Sequence, residues 1–349
     1  MADDKSTNFK VKKDFGRSDI CFSMAREPGT GKCYVGSSDG GVYHMDLASD
    51  KPEPKRCEGE GHSSYVTGTT LTAKHIVTGA WDRHLAWWDR ESGKLVRRQK
   101  AHDKWLRGVE VSPDGKLIAS VADDMVCRLW NAETGKLVRE LRGHKKQTPH
   151  NYPSMLFCAV FSPGGNRLAT ADKPGQIVIW DVKTGKQLQT CESPGMYTWD
   201  PKQRRHSIGG IRSLCFSPDG KVLTAGGIGQ IGNIDHLGAK SRLEFFELGK
   251  GEKGKSLKVI EAGDKFKGLV EHMEYHPEKK WLLAGGGDHN GWLLFIDPDA
   301  LKITRSEKAP MHIHEFNLNE TADKIYAVGH NKLARWELEK PQEKEDKKS

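Results

Sequence analysis

Long apolar runs are missing from this 349-residue chain. No stretch approaches the roughly 18 apolar residues that a membrane-crossing helix needs. The opening "MADDKSTNFKVKKDFG" has no apolar segment of the length a secretory leader uses, so neither leader nor anchor is expected. Cysteine pairing is missing as well. The seven cysteines are odd in number and none stands in C-x-x-C spacing, which argues against a disulfide framework or a zinc ribbon. That pattern suits a reducing, cytoplasmic compartment. Sustained helical periodicity is the third absence, and without it the crossover helices of a parallel sheet have no source. One-signed charge is also scarce. The net charge is +8, but its richest stretches, Arg90 to Arg107 and Lys250 to Lys267, carry seven basic with two acidic and six basic with three acidic residues. No single basic stripe dominates, so a solvated surface is expected rather than a nucleic-acid footprint.

What is present is repetition. Three segments share one phrase: "WDRESGKLV" from Trp88, "WNAETGKLV" from Trp130 and "WDVKTGKQL" from Trp180. A second phrase recurs as "VSPDGKLIAS" (111–120), "FSPGGNRLAT" (161–170) and "FSPDGKVLTA" (216–225). Each is a hairpin signal. The proline of Ser-Pro-Asp-Gly presets one turn dihedral and the glycine supplies the positive φ that closes the turn. Between turns the residues are β-branched and spaced for strands, so the fold is all-β and antiparallel. Aligned on the tryptophan, large apolar residues recur at Met45, Trp88, Trp130, Trp180, Phe246, Ile296 and Trp336. The spacing is mostly 40 to 50 residues, the size of a four-stranded blade, and seven such units predict a single seven-bladed β-propeller.

At this point the chain resembles the WD-repeat β-propellers over about residues 9 to 338. Two repeats carry that family's full pattern: His62, Thr78, Asp82 and Trp88, then His102, Ser120, Asp124 and Trp130. The resemblance implies a structural hydrogen-bond relay that staples the strands of a blade. A third repeat keeps His144, Thr170 and Trp180, but Pro174 stands where the aspartate is expected. The resemblance also implies that residues 1–15 supply the outer strand closing blade seven and that residues 16–338 form the propeller; the charge-rich composition of residues 339–349 marks a disordered charged tail.

Several motifs invite catalysis and are declined. A His, Ser/Thr and Asp set that recurs in consecutive repeats is structural, since a catalytic triad occurs once. Gly227, Gly229 and Gly232 have dinucleotide-loop spacing, yet "NIDHLGAKSRLEFFEL" reads as loop and strand where a helix is required. "EPGTGKCY" lacks the first glycine and the Ser or Thr of a phosphate loop. His312 and His314, with His289, are taken as ordinary polar positions, because no carboxylate cluster stands at a legible spacing. No metal, cofactor or small-molecule substrate is therefore expected. The expected function is a non-enzymatic scaffold for a protein or peptide partner. The alternatives are a propeller enzyme, similar to the metal-dependent lactonases or the quinone-dependent dehydrogenases, and a nucleic-acid-binding module.

Turn parity locates the expected partner. The long insertions, 145–154, 191–209 and 226–240, fall in the turn class that faces one side of the disc, and loops this long are usually functional or disordered. Tyr197, Trp199, Arg204 and Arg205 lie in the middle one. Tyr65, Trp81, Trp105, Arg107, Phe157 and Arg212 project toward the same face by strand register. Trp, Tyr and Arg are the residues that most often anchor interfaces.

Overall fold

The computed structural model describes residues 7–202, 204–249 and 251–339. No α-helix is formed among them; a single-turn 3-10 helix at Pro194–Met196 interrupts an otherwise all-β chain. Five four-stranded antiparallel sheets follow one another along the chain. The first runs Val66–Leu71, His75–Ala80, His84–Asp89, Leu95–Lys100, and each later sheet repeats that up-and-down order. The turns are closed as their composition dictates. Gly115, Gly165 and Gly220 in the Ser-Pro phrases have φ of 72°, 69° and 66°, and Gly93, Gly135 and Gly185 after the Trp phrases 69°, 68° and 73°. Residues with a Cβ rarely adopt such values.

Burial is graded from the middle of each blade outward. Ile177, Val178 and Ile179 are all fully buried, so this strand is not apolar on one face only. Middle strands are covered on both faces by neighbouring blades, which makes them continuous apolar runs. Outer strands such as Leu95–Lys100 alternate instead, with one face in solvent. The seven aligned positions Met45, Trp88, Trp130, Trp180, Phe246, Ile296 and Trp336 are at most 6% exposed. Six of them occupy one register, opposite a second-strand residue: Cys33, Ile76, Ile118, Leu168, Leu223 and Leu282 in turn.

The expected count of seven blade sheets is corrected here. Six blade-sized sheets form among the described residues, the sixth of them six-stranded. The reason is the strand Phe9–Arg26. Its first half pairs with Lys324–Leu338, from Phe9 opposite Leu338 to Ile20 opposite His330, and its second half pairs with Lys32–Ser37. One continuous strand thereby fuses the two ends of the chain into a single sheet. Phe9 is buried against Trp281 and Phe295, at 6.1 and 5.7 Å between ring centroids. The innermost strands pack side by side in a closed ring: Phe9–Arg26, Val66–Leu71, Leu106–Val111, Leu156–Phe161, Ile211–Phe216, Leu269–Tyr275 and Ile313–Leu318, which returns to the first. They enclose a central channel of about 490 Å³. Of the tail expected at 339–349, only Glu339 lies within the described residues.

Candidate interaction face

The relay residues fix the strand ends that present the face. His62 Nε2 lies 2.8 Å from Thr78 Oγ1, which also accepts from Trp88 Nε1 at 2.8 Å. His62 Nδ1 faces Asp82 at 3.2 Å, and the same carboxylate accepts from the Ser63 and His84 backbone N–H groups. Burial would raise the Asp82 carboxyl, but these hydrogen bonds, led by the one from His62, hold it well below the usual range. The set His102, Ser120, Asp124 and Trp130 repeats the arrangement, with Arg128 Nη1 added 2.8 Å from Asp124. Gly61 precedes the first histidine for a steric reason: a Cβ there would stand 2.1 Å from the Trp88 ring.

The third relay corrects the reading at Pro174. His144 Nδ1 bonds Asp172 at 2.8 Å, while Thr170 Oγ1 lies 2.8 Å from His144 Nε2 and accepts from Trp180 Nε1–H at 2.8 Å. The acid stands at the end of a strand instead of in the turn, two residues before the position the other repeats use.

A belt of rings and guanidinium groups lies at the channel mouth. Phe22 packs on Tyr65 (5.3 Å), Tyr65 on Trp81 (4.8 Å), and Trp81 stacks on Trp105 at 4.5 Å with an interplanar angle of 1°. Arg107 Cζ lies 5.0 Å from the Trp81 ring centre and 5.7 Å from that of Phe157, and Arg212 Cζ sits 3.7 Å over Phe157. Both arginines are held over ring faces, where the quadrupole attracts a cation. Arg107 is clamped in two bonds by Asp123, at 2.8 and 2.7 Å. Lys173 joins this basic cluster, and burial, with Arg212 and Arg107 nearby, pulls its ammonium down to about 8. Trp105 is 48% and Tyr65 39% exposed, although both are large and apolar. Six expected positions, Tyr65, Trp81, Trp105, Arg107, Phe157 and Arg212, are thus brought together, Phe157 as a buried support.

The other four are used differently. Trp199 does not project freely. It stacks on His150 at 4.5 Å and packs on Tyr152 at 5.2 Å, and the Tyr197 hydroxyl bonds His150 Nδ1 at 3.0 Å. Arg204 pairs with Asp235 at 2.8 Å. Ile231 N–H donates to Thr198 Oγ1, and the Gln230 amide to the Gly195 and Tyr197 carbonyls. The three long loops therefore lock to one another. Only Arg205 remains exposed with no bond described.

The channel itself holds residues that the sequence reading passed over. Glu110, Glu271, His272, Glu274 and Glu315 line it. Burial pushes the Glu110 carboxyl up to about 8 and Glu274 up to about 7. Their signal was an acidic residue inside an inner strand, as in "LRGVEV", where the inward face meets the axis instead of a neighbouring blade.

A ring of antiparallel blades with repeated His–Thr/Ser–Trp relays defines a β-propeller of repeating units. The family described as "WD domain, G-beta repeat" matches residues 93–131, 135–181 and 201–230. These matches support a WD-repeat β-propeller family for the chain. Relatives include nuclear distribution protein PAC1 of Arthroderma otae, 30% identical over 216 residues, covering 54% of this chain and 42% of that protein. WD repeat-containing protein 1 of Gallus gallus is 29% identical over 162 residues, 46% of this chain and 24% of the relative. WD repeat-containing protein 70 of Xenopus tropicalis is 25% identical over 276 residues, 74% and 38% respectively. Across the curated relatives it matches, the chain spans between 7% and 46% of their length.

Proposed function

We propose that this protein is a non-enzymatic scaffold that docks a protein or peptide on the face bearing the channel mouth. The observation that carries this reading is the exposed pair Trp105 and Tyr65, set in a belt with Trp81, Arg107 and Arg212. A stacked tryptophan pair whose outer ring, Trp105, is half in water suits a surface that a partner covers. Rigid aromatics also lose little entropy on binding. The Trp81–Trp105 pair borders a second depression of about 620 Å³ that includes Arg83, Asp103 and Lys104, polar groups suited to orient a bound segment. We also take the six-stranded sheet as two blades sharing one strand, which makes the propeller seven-bladed, with the segment 1–15, of which residues 7–15 are described, closing residues 16–338. The seven free cysteines support a cytoplasmic setting.

The test compares native-source proteins retained by immobilised wild-type chain, Tyr65→Ala and Trp105→Ala. Each variant is expected to weaken the retained partner by about 2 kcal/mol, near 30-fold. The free energy of unfolding should fall by no more than about 1.5 kcal/mol, the worth of one aromatic stack. Equal retention by all three proteins refutes the docking face.

A further inference from the structure

Three histidines that are separated in the sequence meet at the rim of the channel. His312 and His314 stand two apart at the start of the strand Ile313–Leu318, so their side chains leave the same face. His330 sits at the reversal within Lys324–Leu338, beside Asn331 with φ 56°, and its N–H donates to the His312 carbonyl at 3.1 Å. The three ring centroids are 4.6, 4.7 and 4.9 Å apart in pairs, and one ligating nitrogen from each ring lies within 4.8 Å of the other two. His312 is 5% exposed. Neither of its ring nitrogens, nor Nε2 of His314, has a hydrogen-bond partner among the described residues. A neutral imidazole carries one donor and one acceptor, and burying either unpaired costs about 1–3 kcal/mol. Native proteins rarely leave such groups unmet without a use for them. Glu271 Oε1 stands 3.6 Å from His312 Nε2.

We infer that His312, His314 and His330 bind one divalent transition-metal ion, with Glu271 as the charge-compensating carboxylate. This goes beyond the scaffold reading and does not require a partner. Imidazole nitrogens suit zinc, copper and nickel, whereas magnesium and calcium take oxygen. Zinc–nitrogen bonds of about 2.0–2.1 Å place tetrahedral donors about 3.3 Å apart, so the rings must close by roughly 1–1.5 Å. The terminal torsion of histidine is broad, and rotation about it moves Nδ1 by about that much. His314 and His330 are partly exposed at the open mouth, which gives the ion a path in and leaves a fourth position for water. His289, grouped with these residues on sequence, is 83% exposed at its side chain, pairs with Asp288 at 3.2 Å and lies outside the cluster.

The experiment is equilibrium dialysis of the full chain against Zn²⁺ with metal quantification, repeated with Co²⁺ to read the d–d band of a low-coordinate nitrogen site. One ion per chain is expected. His312→Ala, His314→Ala and His330→Ala should each lower affinity at least about 10-fold, Glu271→Gln about 10-fold, and His289→Ala not at all. Absence of stoichiometric uptake by the folded wild type overturns the site. So does uptake retained in the His312→Ala, His314→Ala double variant, or loss in His289→Ala equal to that in the cluster. If a cluster variant does not fold, the wild-type melt decides. A midpoint that climbs with Zn²⁺ as ligand linkage requires supports the site, and one that stays fixed overturns it.

Discussion

Thr78→Val isolates the relay's hydroxyl. Valine has nearly the shape of threonine, so the change leaves no cavity and removes one oxygen. Thr78 is fully buried, Trp88 is 2% exposed, and the His62 side chain is fully covered. With Asp82 accepting from His62 Nδ1–H, Nε2 is left as the acceptor of the Thr78 O–H, and Trp88 Nε1–H donates to the same oxygen. Thr78→Val therefore strands one acceptor and one donor where water cannot reach them. Each unmet group costs about 1–3 kcal/mol, so the loss should total about 2–6 kcal/mol. At about 2.1 cal/mol/K of unfolding entropy per residue, a cooperative melt of a chain this long moves roughly 1.4 °C per kcal/mol, giving about 3–8 °C. Calorimetry and urea unfolding of wild type and Thr78→Val make the measurement. A double-mutant cycle with Trp88→Phe should return a coupling of about 1–2 kcal/mol. A destabilisation below about 0.5 kcal/mol, the size of a surface substitution, would refute the reasoning, as would zero coupling.

Two further outcomes follow from the closure strand and the channel. Deleting residues 1 to 13 removes buried Phe9 and the pairing of that segment with Lys324–Leu338, so the melting midpoint should drop by many degrees; an unchanged melt contradicts ring closure by this strand. The Glu110 carboxyl, lifted by burial to about 8, binds a proton in the folded chain that the unfolded chain releases near 4.5, so stability should fall as pH rises between those values. Glu110→Gln removes that loss, and its midpoint should pull ahead of wild type progressively from pH 5 to 8; a constant difference across that range rules the effect out.

Much of the architecture was legible because its causes are local. A Ser-Pro-x-Gly or Thr-Gly-Lys turn is closed by dihedral preferences within four residues, and Gly115 and Gly185 have the positive φ those phrases demand. The apolar positions from Met45 to Trp336 could be aligned because each blade must bury one large side chain at the same place. The relay residues His62, Thr78, Asp82 and Trp88 likewise lie inside one repeat. What the sequence did not display depends on contacts between repeats. Trp199 reads as a free anchor until the 145–154 loop arrives beside it and His150 takes its ring face. Asp172 replaces an acid at position 174 because a carboxylate at the strand end reaches the same imidazole. Glu110 and Glu315 become channel groups only once inner strands from distant repeats face one axis. His330 joins His312 and His314 through a backbone reversal, and Phe9 meets Leu338 only when the ring closes. Dihedral preference and strand period act over a few residues and are written in them; convergence across the ring is set by the circumference, which no short stretch of sequence encodes.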